Sequence, residues 1–551
     1  MTILRPLTAF VLAIGGVGAM TDAQTPQAPP VPPRLVVMLV VDQMRADYIS
    51  LYGHQWTKGL RRLLDTGAVF PLAAYPYAYT VTCPGHATIS TGTFPNTHGM
   101  IGNEWYDREA GKSVVCAEDT SQQSVPFGGR SLVEHQGPAR LNALTFTDEL
   151  RIHAPRPPTV VSISLKARSA IPMAGRPSPT TYAVWEAGNG TWTTSTAYTA
   201  TPWPVVDQFA TKHPISENYG QAWTRALPPS AYLFSDSGVA EIVPAEFPHT
   251  LESKTGKPDS EYGVLWRRSP LSDSYLGRLG QHLVRELKLG QQPAGTDVLA
   301  VSFSALDIVG HEYGPHSHEV QDVLVRLDET LGALLDTLDS LVGRDRYVIG
   351  MSADHGVAQI PEQAQHVVAG SGRHSSTALR NAISAAIEAH VGPGGPWTSG
   401  SSVTTRLGPN VYLAPGVLAR VLATPGAREA INKSLVAIEG VARIYWADEL
   451  ASLVATDDPR LQAARLSYMP GRSGDMMLIF APQWMAQATG TTHGTPYLFD
   501  QRVPLIFAGA GIKAGRYLTS ATPADLAPTL AHLVGITMGQ ATGRVLSDAL
   551  R

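Results

Sequence analysis

"RLVVMLVVDQ", residues 34–43, decides the fold. Seven consecutive apolar residues, four of them valine, stop at Asp42. A run with no polar alternation marks a strand buried on both faces, as central strands of parallel sheets are. Similar runs recur at 159–166, 298–307, 347–356, 475–482 and 503–511, and each is expected to be a strand of the same kind. Helical patterns lie between several of them: "SYLGRLGQHLVREL" precedes the run at 298, and "EVQDVLVRLDETLGALLDTLDSL" the run at 347. "TPADLAPTLAHLVG" (522–535) closes the chain, with Thr522 as N-cap and Gly535 as the stop. Strands alternating with helices predict an α/β fold, a three-layer α/β/α sandwich around a mostly parallel sheet.

The chain has 551 residues, 44% of them hydrophobic, and a net charge of −4. It carries no polyionic tract and no basic stripe, so no nucleic-acid partner is expected. At the N-terminus, Arg5 gives a short positive region, Leu7 to Met20 an apolar core, and "TDA" a small-residue cleavage site ending at Ala23. That pattern reads residues 1–23 as a signal peptide, with the protein periplasmic or secreted and no stable membrane anchor after cleavage. "QTPQAPPVPP" (24–33) is an extended Pro-rich spacer. Residues 34–551 form one catalytic domain with insertions near 170–290 and 360–470, and "YAVWEAGNGTWTTS" (182–195) signals a hairpin around Asn189-Gly190. A monomer is compatible with this organisation. Export puts the two cysteines, Cys83 and Cys116, in an oxidising compartment, where a disulfide is preferred over two buried thiols. Such a bridge is worth roughly 3–4 kcal/mol in the chain-entropy model.

Acidic residues and histidines recur where apolar strands end. Asp42 ends the first; Asp307 ends another, with His311 four residues on in "DIVGHEYG"; Asp354 and His355 end a third in "SADHG". His493 stands in the loop "TGTTHGTPYLFD". Ligand sites in open parallel sheets form beyond the carboxyl ends of strands, so these six side chains are expected to converge. A mixed nitrogen and oxygen set without thiolate suits zinc, other divalent metals being possible. Six ligands are too many for one tetrahedral ion, which makes two metals the natural count.

"TVTCPGHATISTG" (80–92) offers three nucleophiles, Thr80, Thr82 and Cys83, just ahead of Pro84. Pro84 suits the first position of a helix, and Gly92 its end. Thr82 would then sit just ahead of a helix N-terminus, where backbone N–H groups favour an anion. A hydroxyl there attacks a phosphoryl or sulfuryl centre once a metal lowers its pKa.

These residues resemble the alkaline phosphatase superfamily, and within it the periplasmic type with a threonine nucleophile. The resemblance runs from about residue 35 to the C-terminus and rests on "VVDQMRADY", "TVTCPGHATISTGTFPNTHGMIGNEWYD", "SISLKARSAI", "DIVGHEYGPHS", "SADHG" and "THGTPYLFDQRVPLIFAG", in that order. It implies that Thr82 is the nucleophile and becomes a phosphothreonine. It implies that Asp42, Asp354, His355 and Thr82 hold one zinc, and Asp307, His311 and His493 the other. Asn103, Lys166 and Arg168 would bind phosphoryl oxygens, with the Cys83 backbone N–H assisting. Sulfatases of the superfamily place a modified Cys or Ser in a Cys/Ser-x-Pro-x-Arg motif; here threonine stands at that offset and the arginine is missing.

The implied substrate is a phosphate monoester. Two zinc ions contribute +4, three carboxylates and an alkoxide −4, and Lys166 with Arg168 +2, which balances a dianion. The competing readings are a phosphodiesterase or nucleotide pyrophosphatase of the same superfamily, whose branch lacks the Lys-x-Arg pair, and a non-catalytic phosphate- or metal-binding protein. His86 and His98 read as structural hydrogen-bond formers, Asp47 and Glu104 as supporting or capping residues. His316 and His374 lie in loops near metal-binding segments, outside a ligand set that is already full.

Overall fold

The computed structural model describes residues 31–242, 246–365, 370–392 and 403–551. Residues 1–23, read above as a signal peptide, and most of the Pro-rich stretch 24–33 lie outside the described residues.

Leu35–Val41 is the pivot. It pairs in parallel with Asp297–Phe303 on one side and Tyr347–Ser352 on the other, and all seven of its residues are buried. Val160–Ser164 and then Thr181–Glu186 continue the parallel order beyond Asp297–Phe303. Side chains alternate faces along a strand, and here the alternation builds the three layers. Leu35, Val37, Leu39 and Val41 pack with Leu279 and Leu283 of helix Pro270–Glu286 and with Leu331 and Leu334 of helix His318–Leu341. Val36, Met38 and Val40 pack on the other face with Ile89, Phe146, Leu526 and Leu530.

Two of the predicted central strands behave differently. Leu505–Gly509 joins the main sheet but runs antiparallel to Tyr347–Ser352. Met476–Phe480 is not in that sheet; it belongs to a four-stranded antiparallel sheet with Asn410–Leu413, Val441–Trp446 and Val403–Leu407. A short apolar run reports burial on two faces and carries no signal of direction or partner. Met476 and Leu478 are covered by Ile383 and Ile431 from helices of their own subassembly, as fully as the main strands are by theirs. The hairpin at 182–195 forms as Thr181–Glu186 against Trp192–Ser195 and extends the main sheet, with Gly190 at φ 85° in its loop. The Thr522 N–H donates to Asp525 Oδ2 at 2.9 Å, but the expected cap by the Thr522 hydroxyl does not form, since that oxygen has no partner, and the first turn is 3₁₀ (Pro523–Asp525) before helix Leu526–Leu533.

The three central strands end in step, Val40 opposite both Ser302 and Ser352. Asp42, Asp307 and Asp354 therefore emerge at one edge of the sheet.

His98 is fully buried. Its Nδ1 accepts from the Met100 N–H at 3.1 Å, so its Nε2–H donates to Thr88 Oγ1, also at 3.1 Å. Burial, with Arg472 adding repulsion, lowers its pKa to about 3. The folded state binds this proton less well than the unfolded chain, so the stabilisation is complete above about pH 6.5 and is lost as pH falls toward 3, at about 1.4 kcal/mol per unit. Urea unfolding between pH 7 and 4 should show one proton fewer taken up in His98→Gln than in the wild type. An identical pH slope in the two proteins would count against this.

Candidate active site

Helix Thr82–Thr91 carries the first element of the site. Thr82 is its first residue and Pro84 its third, so the helix begins two residues earlier than Pro84 suggests. Proline is tolerated there because none of the first four N–H groups has an acceptor within the helix. Gly92, at φ 66°, closes it. Gly85 lets the helix press onto the strand end below: a Cβ at that position would collide with the Asp354 carbonyl oxygen. The Thr82 hydroxyl makes no hydrogen bond with another described residue, and its carbonyl accepts from His86 Nδ1 at 2.9 Å. Thr80, in contrast, is engaged: its hydroxyl donates to Thr495 O and its carbonyl accepts from His493 Nδ1.

Cys83 is bonded to Cys116, 33 positions away. Its N–H donates to Asn103 Oδ1 at 2.9 Å, so it is not free for a phosphate oxygen, and the Asn103 amide nitrogen is left as the donor. The Cys116 N–H in turn donates to the Asn103 carbonyl at 2.9 Å.

The carboxylates and histidines converge in two overlapping groups. Asp307, His311 and His493 present ligand atoms within 4.8 Å of one another, and so do Asp42, Asp307 and His355. Asp354 joins through His355, its Oδ2 lying 3.3 Å from Nε2. All three imidazoles are oriented alike. The Nδ1–H of His311 donates to Thr491 O at 2.7 Å, that of His355 to Gly356 O at 2.9 Å, and that of His493 to Thr80 O at 2.9 Å. Nδ1 held as donor leaves Nε2 as a lone pair, which is how metal-ligating histidines are commonly set. Three atoms at this point, Asp42 Oδ1, Asp354 Oδ2 and His355 Nε2, are buried without any hydrogen-bond partner. Buried polar atoms are normally satisfied; a cluster of orphans that are all hard or borderline donors fits divalent cations.

The charges respond to this crowding. Burial pushes Asp42 well above the usual carboxylate range, and repulsion from Asp307 and Asp354 adds to it. Asp307 moves the opposite way: against burial, the Lys166 ammonium and His311 hold it well below that range. Burial, with His355 and His311 beside it, drives His493 well below an ordinary imidazole.

Lys166 lies between the two groups, its Nζ 2.6 Å from Asp42 Oδ2 and 2.5 Å from Asp307 Oδ2. Arg168, two residues on, forms no ion pair with another described residue, and its Nε has no acceptor. Asn103, Lys166 and Arg168 line one cavity of about 450 Å³. His493 lines a second, of about 320 Å³, and the two linings share Tyr79 and Glu104.

Several supporting residues carry no sequence signal of their own. Gln43, at φ 70°, donates its N–H to Asp354 Oδ1 and its amide to Asp307 Oδ1, tying the two groups together. A left-handed non-glycine residue is a strained position of the sort found at functional sites. Asp273 accepts from the N–H groups of Ser304 and Ala305, fixing the start of the helix that carries Asp307 and His311. His86 uses both ring nitrogens, on Thr82 O and Ser302 Oγ. Asp47 pairs with Arg45, and His316 stacks on Phe234. His374 packs against Phe480 and Trp484, away from both ligand groups.

A mostly parallel α/β sheet with this Asp/His cluster beside a helix-borne threonine defines a protein of the alkaline phosphatase superfamily. Residues 36–497 match the family model described as type I phosphodiesterase/nucleotide pyrophosphatase, and the chain belongs to that family. Alkaline phosphatase PafA of Elizabethkingia meningoseptica is 30% identical over 98% of each chain. Alkaline phosphatase PhoK of a Sphingomonas species is 32% identical over 94% of this chain and 91% of that one. A Myroides odoratus protein named calcium-transporting ATPase is 31% identical over 92% of both. The crystal structure of PafA superposes with a TM-score of 0.83 at 29% identity, covering 95% of this chain and all of that one. A variant of PafA substituted at one Thr, one Asn, one Lys and one Arg superposes equally well.

Proposed function

We propose that this protein is an exported, zinc-dependent alkaline phosphatase that hydrolyses phosphate monoesters through a phosphothreonine on Thr82. The observation that carries the reading is a pair of features: an uncommitted hydroxyl at a helix start, and three imidazoles locked with Nε2 toward buried carboxylates, that of His355 toward the unpartnered Asp42 Oδ1 and Asp354 Oδ2 and those of His311 and His493 toward Asp307 Oδ1.

Asp42, Asp354, His355 and Thr82 would hold one cation, and Asp307, His311 and His493 the other. Two bound zinc ions would supply Lewis acidity at the entering and departing oxygens of each in-line displacement. The chain's own part is binding and positioning. Thr82 attacks phosphorus, the alcohol leaves on the opposite side, and water later displaces the Thr82 oxygen, so configuration at phosphorus is retained overall. The Asn103 amide and the Arg168 guanidinium donate to the non-bridging oxygens, and Lys166 adds its charge where those oxygens meet Asp42 and Asp307. Donors fixed in advance in a water-poor site supply most of such a rate.

PafA and PhoK are named alkaline phosphatases, which favours the monoester reading. In the PafA variant, Thr and Asn lie 21 positions apart and Lys and Arg two apart, as do Thr82 and Asn103, and Lys166 and Arg168, here. The ATPase name of the Myroides relative is compatible with the same chemistry, because a terminal phosphoryl group of a nucleotide is also a poorly substituted, highly charged centre. No described helix is long and apolar enough to cross a membrane. A phosphodiesterase remains the second reading, favoured by the family description alone.

Dialysis against a chelator should abolish hydrolysis of an aryl phosphate, and zinc should restore it with about two equivalents bound per chain. Full activity in metal-free protein would rule the mechanism out.

A further inference from the structure

The second cavity opens from His493, whose cation would take the departing oxygen in the proposed reading, and it is walled by aromatic rings. At about 320 Å³ it falls in the range of small-molecule sites, about 300–1,000 Å³. Tyr79 forms its border with the phosphoryl cavity and is only partly buried. Its ring sits in a slot: a Cβ on Gly102 would come within 2.9 Å of Tyr79 Cε1, one on Gly494 within 2.8 Å of Cε2, and one on Gly408 would collide with the hydroxyl. Trp484, also half-buried, is seated the same way, with a Gly372 Cβ reaching 2.8 Å from its ring. Arg406 lies over the Phe480 ring at 5.9 Å, and its Nε has no acceptor although it is buried.

Two rigidly seated rings with exposed surface, and a buried donor with no partner, have a use if something planar with an acceptor lies between them. We infer that this cavity binds the alcohol portion of the ester, and that it selects aromatic leaving groups (aryl alcohols or nucleosides) over small aliphatic ones. The inference rests on the proposed phosphomonoesterase reading, since His493 sets which side the alcohol leaves from. The two cavities meet only at Tyr79 and Glu104, so the phosphoryl group occupies one and the alcohol the other. Ring contacts against Trp484 and Tyr79 contribute apolar burial and stacking, and Arg406 Nε donates to a ring substituent or base carbonyl.

The test compares benzyl phosphate, a nucleoside monophosphate and ethyl phosphate in the zinc-loaded wild type, Trp484→Ala and Arg406→Gln. Comparing each variant with the wild type on the same ester cancels intrinsic reactivity. Trp484→Ala should lose about five- to tenfold more kcat/KM on benzyl phosphate than on ethyl phosphate. A parallel loss on the nucleotide extends the selectivity to nucleosides, and a loss confined to benzyl phosphate limits it to aryl alcohols. Arg406→Gln gives a second reading should Trp484→Ala fold poorly. Equal losses on benzyl and ethyl phosphate in both variants overturn the inference. Calorimetric dissociation constants for benzylphosphonate and ethylphosphonate provide a readout without turnover: their ratio should shift toward unity in the variants. Absence of hydrolysis of all three esters would overturn the enzyme reading, while an unchanged phosphonate ratio would overturn the subsite by itself.

Discussion

Thr82→Ala is expected to lower kcat for an aryl phosphate by at least about a thousandfold, equivalent to about 4 kcal/mol of barrier. The neighbouring hydroxyl of Thr80 cannot substitute, because it is committed to Thr495 O and its carbonyl holds His493. Cys83 cannot substitute either, since its sulfur is in the disulfide. Thr82→Ser should keep much of the activity, and acid-quenched wild type should carry one phosphoryl group on the peptide containing Thr82. A Thr82→Ala protein with unimpaired monoesterase activity would mean that another group attacks phosphorus. Because the Thr82 hydroxyl holds no structural hydrogen bond, stability should change little, which separates a chemical loss from a folding one.

Removing the two cations that flank the phosphoryl cavity should have the next largest effect, and it should depend on the substrate. Lys166→Ala with Arg168→Ala leaves Asp42 and Asp307 facing each other without the ammonium between them. A monoester dianion loses two charged contacts, each on the order of a hundredfold where such donors act in a preorganised site. A diester carries one negative charge less and loses correspondingly less. The ratio of kcat/KM for an aryl phosphate to that for its bis-aryl diester should therefore fall by about a hundredfold or more in the double variant. A ratio that stays constant would show that neither side chain reads the second charge, and the phosphodiesterase reading would gain. Arg168→Ala alone is the cleaner half of the comparison, because its guanidinium has no ion pair to lose among the described residues.

What could be read without coordinates divides along physical lines. The run at 34–43 announces the sheet because a strand buried on both faces has no choice but continuous apolar residues. The convergence of Asp42, Asp354 and His355 follows from the same logic, since parallel strands deliver their carboxyl ends to one edge; Asp307 and His311 stand on the helix that follows such a strand, and His493 on a separate loop. Direction and partner are not encoded in that signal, so Leu505–Gly509 joins the expected sheet but runs antiparallel in it, and Met476–Phe480 belongs to a different sheet. Supporting contacts are hidden for a different reason. Gln43 and Asp273 act through the atoms they reach across the fold, Asp354 and Asp307 for one, the Ser304 and Ala305 amides for the other. Nothing local marks them. The engagement of the Cys83 N–H by Asn103 is equally invisible, because it depends on a loop returning from 20 residues away.

That loop has a consequence for how the site comes together. Asn103 is gripped twice, its side chain by the Cys83 N–H and its carbonyl by the Cys116 N–H, and the two cysteines are joined to each other. A covalent ring thus encloses one of the proposed phosphate donors. The histidine and aspartate half, by contrast, is held by hydrogen bonds and by opposing charge. Under the proposed reading, oxidation would fix the amide and metallation would complete the carboxylate and imidazole half, as two separate steps.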